Sequence, residues 1–142
     1  MRVFIDTNVL IDVALEREGF VDDSQAFLDW CSTNETRTWI AWHTVTNCYY
    51  VLRSSPPKGL GDEAARSFLK DLLDWADIAP TSTRIAKAGL GISGGDLEDH
   101  LQALCAEVVS ADVIVTRNDG DFKNSPVRAI SPAGFLKEFV ST

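Results

Sequence analysis

Short runs of β-branched and aromatic residues alternate along this chain with longer segments of helical periodicity, and no other feature limits its fold as strongly. Arg2 to Ile5 is apolar and ends abruptly at Asp6-Thr7-Asn8, which has helix-start chemistry. Val9, Leu10, Val13 and Ala14 then recur at helical spacing, and a second helix is predicted from about Asp23 to Asn34. Thr38 to Ala41 reads as a strand. His43 to Arg53 reads as a helix stopped by the turn Ser54-Ser55-Pro56-Pro57-Lys58-Gly59, and Asp62 to Ala76 as another helix. Ile78-Ala79 is a brief strand before Pro80, and Thr83 to Leu90 a short helix. After the break at Gly94-Gly95, Asp96 opens a helix to about Val109. Asp112 to Thr116 and Val127 to Ile130 are the last strands, and Pro132 to Val140 is a closing helix. Parallel neighbours need crossovers of about a dozen residues, so the expected architecture is a three-layer α/β/α sandwich around a mostly parallel sheet of roughly five strands.

Length and composition fit that expectation. At 142 residues the chain has the size of one domain, so a single domain over 1–142 is expected. Its 45% apolar and 24% charged residues are those of a globular protein. No run approaches the roughly 20 apolar residues of a membrane span, and the N-terminus lacks the apolar stretch of a signal peptide, which predicts a cytoplasmic protein with no membrane partner. Cys31, Cys48 and Cys105 are widely spaced within apolar patterns and are expected to be inert core thiols. A net charge of -8 and a pI of about 4.6 argue against a broad electrostatic grip on nucleic acid. Contact with a polyanion would have to pass through divalent cations at a concentrated acidic site.

The acids are placed for such a site. In doubly wound sheets, ligands bind beyond the carboxyl ends of strands where the strand order reverses. Asp6 follows the first strand directly, and Thr116-Arg117-Asn118-Asp119-Gly120-Asp121 follows the strand that begins at Asp112, so the two loops meet if those strands are neighbours. Asp96 and Asp99 share one face of a helix's first turn. Two like charges about 4 Å apart repel by roughly 4 kcal/mol at an effective dielectric near 20. A hard cation such as Mg²⁺ or Mn²⁺, which prefers oxygen ligands, is the commonest reason to cluster them. Such an ion can activate water and stabilise the leaving oxygen of a phosphodiester.

Four segments, Phe4-Ile5-Asp6-Thr7-Asn8-Val9-Leu10, Thr44 to Arg53, Asp96-Leu97-Glu98-Asp99 and Val113 to Phe122, resemble in order and spacing those of PIN domains. The likeness spans essentially the whole chain and points to the bacterial PilT-like subfamily, related to the ribonuclease toxins of toxin-antitoxin pairs. It implies a Mg²⁺- or Mn²⁺-dependent endoribonuclease, with RNA as substrate, an antitoxin protein as candidate partner and a homodimer as candidate assembly. Asp6, Asp99 and Asp121 match the family's acidic positions and are the expected catalytic residues. Asp96 joins them as a candidate ligand, and Thr116 matches the accompanying hydroxyl. Thr7, Asn8, Asn47 and Asn118 are expected in support. Two departures stand out: Asn47 occupies the place of a common glutamate and Asn118 that of a common aspartate, each keeping an oxygen acceptor but losing a charge.

The residues also admit plainer readings. Asp6 or Asn8 could cap the helix that follows, and Asp96 is a natural N-cap after Gly94-Gly95. Asp99 gains from the helix dipole whether or not it holds a metal. Asp121 without its motif would be a turn residue, and Asn47 could be a structural hydrogen-bonding residue. Glu98 and Asp119 are expected on the surface and Asp12 on the polar face of the first helix. Trp30, Trp39, Trp42, Trp75, Tyr49 and Tyr50 read mainly as core. Arg53, Lys58, Arg117 and Lys123 are candidate phosphate contacts, with solvated charge as the plain alternative. His43 and His100 have no metal-ligand spacing. An aspartyl-phosphate phosphatase would want an acid where Asn8 stands, and a phosphoreceiver would want one where Pro80-Thr81 follows the third strand. The alternative that remains is a PIN-fold module without activity that binds RNA or a partner protein.

Overall fold

A computed structural model describes residues 1–34, 36–54 and 59–141. Its strands are β1 (Arg2–Ile5), β2 (Arg37–Ile40), β3 (Asp77–Ile78), β4 (Val113–Val115) and β5 (Ala129–Ile130). They form one five-stranded sheet in the order β3-β2-β1-β4-β5, parallel at every pairing. The helices are α1 (Thr7–Ala14), α2 (Val21–Thr33), α3 (Trp42–Ser54), α4 (Asp62–Leu73), α5 (Thr83–Leu90), α6 (Leu97–Val108) and α7 (Pro132–Phe135). A 3₁₀ turn covers Asp119–Phe122, and a wider π turn, Leu136–Val140, extends α7.

The alternation of side chains along each strand explains the three layers. Val3 and Ile5 of β1, Ile40 of β2 and Val113 and Val115 of β4 face a core shared with α1, α2, α3, α4 and α7. Phe4, Trp39 and Ile114, the intervening residues, face the opposite core with Ala103, Cys105 and Ala106 of α6, Val109 just after it and Ile85 of α5. Both faces are covered, as parallel sheets require. The chain works outward from β1 to β2 and β3, then returns across the sheet to β4, so the order reverses between β1 and β4. There the ladder continues beyond the strands: Asp6 N–H donates to Val115 O at 3.0 Å, and Thr116 N–H to Ile130 O at 3.0 Å.

Several expectations are corrected at residue level. The buried face of α6 is Gln102, Ala103, Cys105 and Ala106, continued by Val109 just after the helix, whereas Leu97 and Val108 are exposed. Leu101 and Leu104 instead pack toward α5, where a Cβ on Gly89 would collide with Leu101. Trp42 and Tyr50 are 58% and 61% exposed rather than core, because α3 turns them away from the sheet. The closing helix widens after Phe135, and β5 begins at Ala129, with Val127 buried ahead of it. Cys31, Cys48 and Cys105 are buried and unpaired, and burial pushes the thiols of Cys31 and Cys48 up to about 12. Ser55 to Lys58, within the turn expected after α3, lie outside the described residues.

Candidate functional site

At the switch point, Asp6 is 2% exposed and stands where an N-cap would, in extended conformation ahead of α1, yet its carboxylate closes no cap hydrogen bond. Both oxygens turn across the sheet instead. Oδ1 accepts from Gln102 Nε2 at 2.9 Å, and Oδ2 accepts from the Thr116 hydroxyl at 2.7 Å. Thr116 Oγ1 itself accepts from Asn118 N–H at 3.1 Å, which leaves its proton free to donate to Asp6. Gln102 is equally constrained, because its Oε1 accepts the Thr7 N–H at 3.2 Å and so aims its amide N–H₂ at Asp6. The Thr7 hydroxyl shares a 2.8 Å hydrogen bond with Thr44 of α3. Burial raises the Asp6 pKa, while Thr116 and Gln102 pull it back by favouring the charged form.

The second part of the site is open. Asp96 caps α6, its Oδ1 accepting from Glu98 N–H at 2.9 Å and Asp99 N–H at 3.3 Å. Asp99, one turn in, has its pKa raised to about 6, first by burial and then by the charges of Asp6, Asp96, Asp121 and Glu98. Those acids are therefore within electrostatic reach of Asp99. Asp99 and Asp121 line one cleft of about 270 Å³ with His100 and Lys123. His100 Nε2 pairs with Gly94 O at 2.5 Å, and its ring lies 3.0 Å from where a Cβ on Gly95 would stand. Gly95, at φ +66°, therefore has to be glycine on two counts.

The oxygen-only donor set fits a hard cation. Each Asp6 oxygen takes one hydrogen bond and keeps a lone pair, and Asp99 and Asp121 face the cleft. Among the described residues no three His, Cys, Asp or Glu side chains stand close enough to enclose an ion unaided. An ion here would keep several waters, as Mg²⁺ usually does.

The other predicted residues are distributed unevenly. Asn47 is half-buried one turn beyond Thr44 on α3, and Asn8 is half-buried in the first turn of α1. Arg53 stands nine residues beyond Thr44, roughly 14 Å farther along the helix, near Asp62. Lys58 lies outside the described residues. Arg117 turns from the cleft to pair with Asp12 at 3.3 Å and lies over the Phe20 ring at 4.6 Å. Asp12 is not on a polar face: it is fully buried, because Arg117 and Arg17 reach its carboxylate. Glu98 is half-buried, 3.9 Å from His43 Nε2, rather than a free surface charge. Sequence reasoning missed Gln102, Thr44 and Asp12; the one signal available was a polar residue interrupting an otherwise apolar helical face.

A parallel α/β/α sandwich with a hydroxyl-buttressed aspartate at its switch point and further acids beyond the strand ends defines an acid-centred α/β class. The chain belongs to the PIN-domain family, whose profile matches residues 2–120, ending one residue before Asp121. No curated protein sequence shows a significant match. Solved structures share the fold. A chain of VapBC2 from Rickettsia felis, bound to a DNA fragment from their promoter, aligns with TM-score 0.66 at 20% identity, over 92% of this chain and 98% of that one. A chain of FitAB bound to the IR36 DNA fragment aligns with TM-score 0.65 at 17% identity, over 92% and 94%. FitAcB from Neisseria gonorrhoeae gives 0.62 at 16% identity, over 92% and 98%. No helix among the described residues is long and apolar enough to cross a membrane.

Proposed function

We propose that the chain is a metal-dependent endoribonuclease of the toxin type, with Asp6, Asp99 and Asp121 as its catalytic acids. The observation that carries this reading is the Asp6 carboxylate, buried at the switch point and held by Gln102 and Thr116 instead of capping its helix. Burying a carboxylate is costly, and one held by specific partners at a strand switch point is a functional-site candidate. Bound Mg²⁺ or Mn²⁺ would supply charge neutralisation at the phosphate and a more acidic water. Asp6 would hold the ion from the buried side, with Asp99 and Asp121 from the cleft side. Asp96 contributes one carboxylate oxygen at most, since its other one caps α6. Asn47 and Asn118 would lend neutral acceptors, and Lys123, which lines the cleft, would meet a phosphate. An antitoxin partner and cytoplasmic location belong to the same proposal; the structural neighbours were solved as VapBC2 and FitAB assemblies on DNA.

The second reading, a binding module without activity, is favoured by Asn47 and Asn118 and by the spacing of the acids. Mn²⁺ calorimetry on wild type and Asp6→Asn, beside cleavage of a fluorescent single-stranded RNA, separates the two. The nuclease reading expects metal binding and cleavage in the wild type and neither in the variant, with its melting temperature preserved. Absence of both from the wild type at millimolar Mn²⁺ would leave the binding module.

A further inference from the structure

Outside the acidic centre, the Asp12 carboxylate is the described group whose placement demands the most explanation. It is fully buried on α1, and its Oδ1 faces Arg17 Nη1 at 3.4 Å and Arg117 Nη1 at 3.3 Å, while Oδ2 meets no hydrogen-bond partner among the described residues. The other arginine pairs recorded, Arg66–Asp62 and Arg128–Glu138, match one guanidinium to one carboxylate on the surface. Here one buried carboxylate gathers two guanidiniums, in a chain of net charge -8. Burying a carboxylate is costly, and Arg117 alone already ties α1 to the loop after β4.

Both cations are held in place. Beyond α1, Glu16 adopts φ 50°, and the reversal lets the Arg17 N–H bond the Asp12 carbonyl at 2.9 Å while the Arg17 side chain returns to the carboxylate of the same residue. Arg117 is fixed by its stack on Phe20. The two side chains remain 35% and 23% exposed, and among the described residues no acceptor meets their other N–H groups. Arg117 directly follows Thr116, whose hydroxyl holds Asp6, and Asp6 lies near enough to Asp12 to act on its charge, so the Asp12 cluster adjoins the buried side of the acidic centre, away from the cleft.

We propose that Arg17 and Arg117, gathered by the buried Asp12, form a phosphate subsite that grips a single-stranded polynucleotide beside the acidic centre. Two planar guanidiniums presented together match a phosphate's oxygens as a point charge cannot. The subsite supplies a local basic contact in a chain whose net charge of -8 argues against a broad one. The inference rests on the RNA reading above, and names Arg17 and Asp12 as parts of that grip.

Fluorescence anisotropy of a labelled single-stranded RNA in Ca²⁺, over a NaCl series, tests it. Arg17→Gln and Arg117→Gln are each expected to weaken binding and to flatten the slope of log affinity against log salt by up to about 0.7, the value of one phosphate contact on a single strand. The double variant should flatten it no further, because both serve one phosphate, and Arg17→Lys should keep the slope but bind more weakly. Arg17→Gln leaves Asp12 paired to Arg117, so it should fold, and a melting curve checks this. Wild-type slopes in both glutamine variants, or no RNA binding by the wild type, overturn the subsite. Unchanged slopes with cleavage intact sink the subsite alone. Slope changes without any Mn²⁺-dependent cleavage sink the nuclease reading and leave the subsite standing.

Discussion

Helices α1 and α6 start alike and use their first aspartate differently. Asp6 and Asp96 both precede a helix in extended backbone, at φ -67°, ψ 140° and φ -96°, ψ 131°. Asp96 is exposed and accepts two N–H groups of its own helix, the commonest use of an aspartate in that place. Asp6 is buried and points at Gln102 and Thr116 on other elements, with the Asn8 N–H of its own helix a lesser influence than either. Gln102 takes over part of the capping task by accepting the Thr7 N–H, which frees the carboxylate. The contrast separates an acid that stabilises its own helix from one that the fold is arranged to hold. The same contrast divides the site into a buried side with preset geometry and an open side where Asp99 and Asp121 face solvent.

The largest stability effect is expected on the buried side. Gln102→Leu keeps the volume but removes a donor from the Asp6 carboxylate and an acceptor from the Thr7 N–H, leaving buried polar groups unpaired at a cost of about 2 kcal/mol. Urea denaturation would show this as a lower midpoint at unchanged slope. Adding Asp6→Asn to that variant should recover part of the loss, since the unpaired charge is gone. Two independent, additive losses would mean that Gln102 does not serve Asp6.

On the open side the corresponding change is smaller. Asp96→Ala removes the α6 cap and should cost about 1 kcal/mol, with the Asp6 contacts undisturbed. A loss as large as that of Gln102→Leu would place Asp96 in the buried network and erase the distinction between the two helix starts.

The same division governs what was legible in the sequence. The meeting of Asp6 with Thr116 needed only alternating periodicity and the adjacency of β1 and β4, both coarse properties of the pattern. Asp96 as a cap was legible because capping is local, decided by Gly94-Gly95 before it and the helix after it. Gln102 was hidden because the helix after Asp96 carries large apolar residues on more than one face: Leu97 and Val108 are exposed, while the polar Gln102 shares the buried face with Ala103 and Ala106. Asp12 looked amphipathic because its partner Arg117 comes from the far end of the chain, and long-range ion pairs leave no periodicity. Trp42 and Tyr50 fit a core stripe by type, yet α3 turns them outward.

The smallest effect, and the sharpest probe of the open side, is the pH dependence of stability without metal. Asp99 titrates at about 6 in the folded protein against an ordinary value of 3.8, because burial and the neighbouring acids disfavour its charge. Between those values the folded chain binds more protons than the unfolded one, so stability falls as pH rises through the interval and levels off above it. Water screens this partly exposed group, so the slope is modest. Melting temperatures in EDTA at pH 5 and 7.5 measure it. Asp6 contributes in the same direction, since its pKa is also raised, whereas His43, whose pKa burial lowers, opposes both and is common to the wild type and the Asp99 variant. Asp99→Asn isolates the open side by removing only its share of the decline. Mn²⁺ should then stabilise the wild type more at pH 7.5 than at pH 5, because the ion competes with the proton for Asp99. An identical decline in the variant would move the titration to Asp6 and make the open acids bystanders.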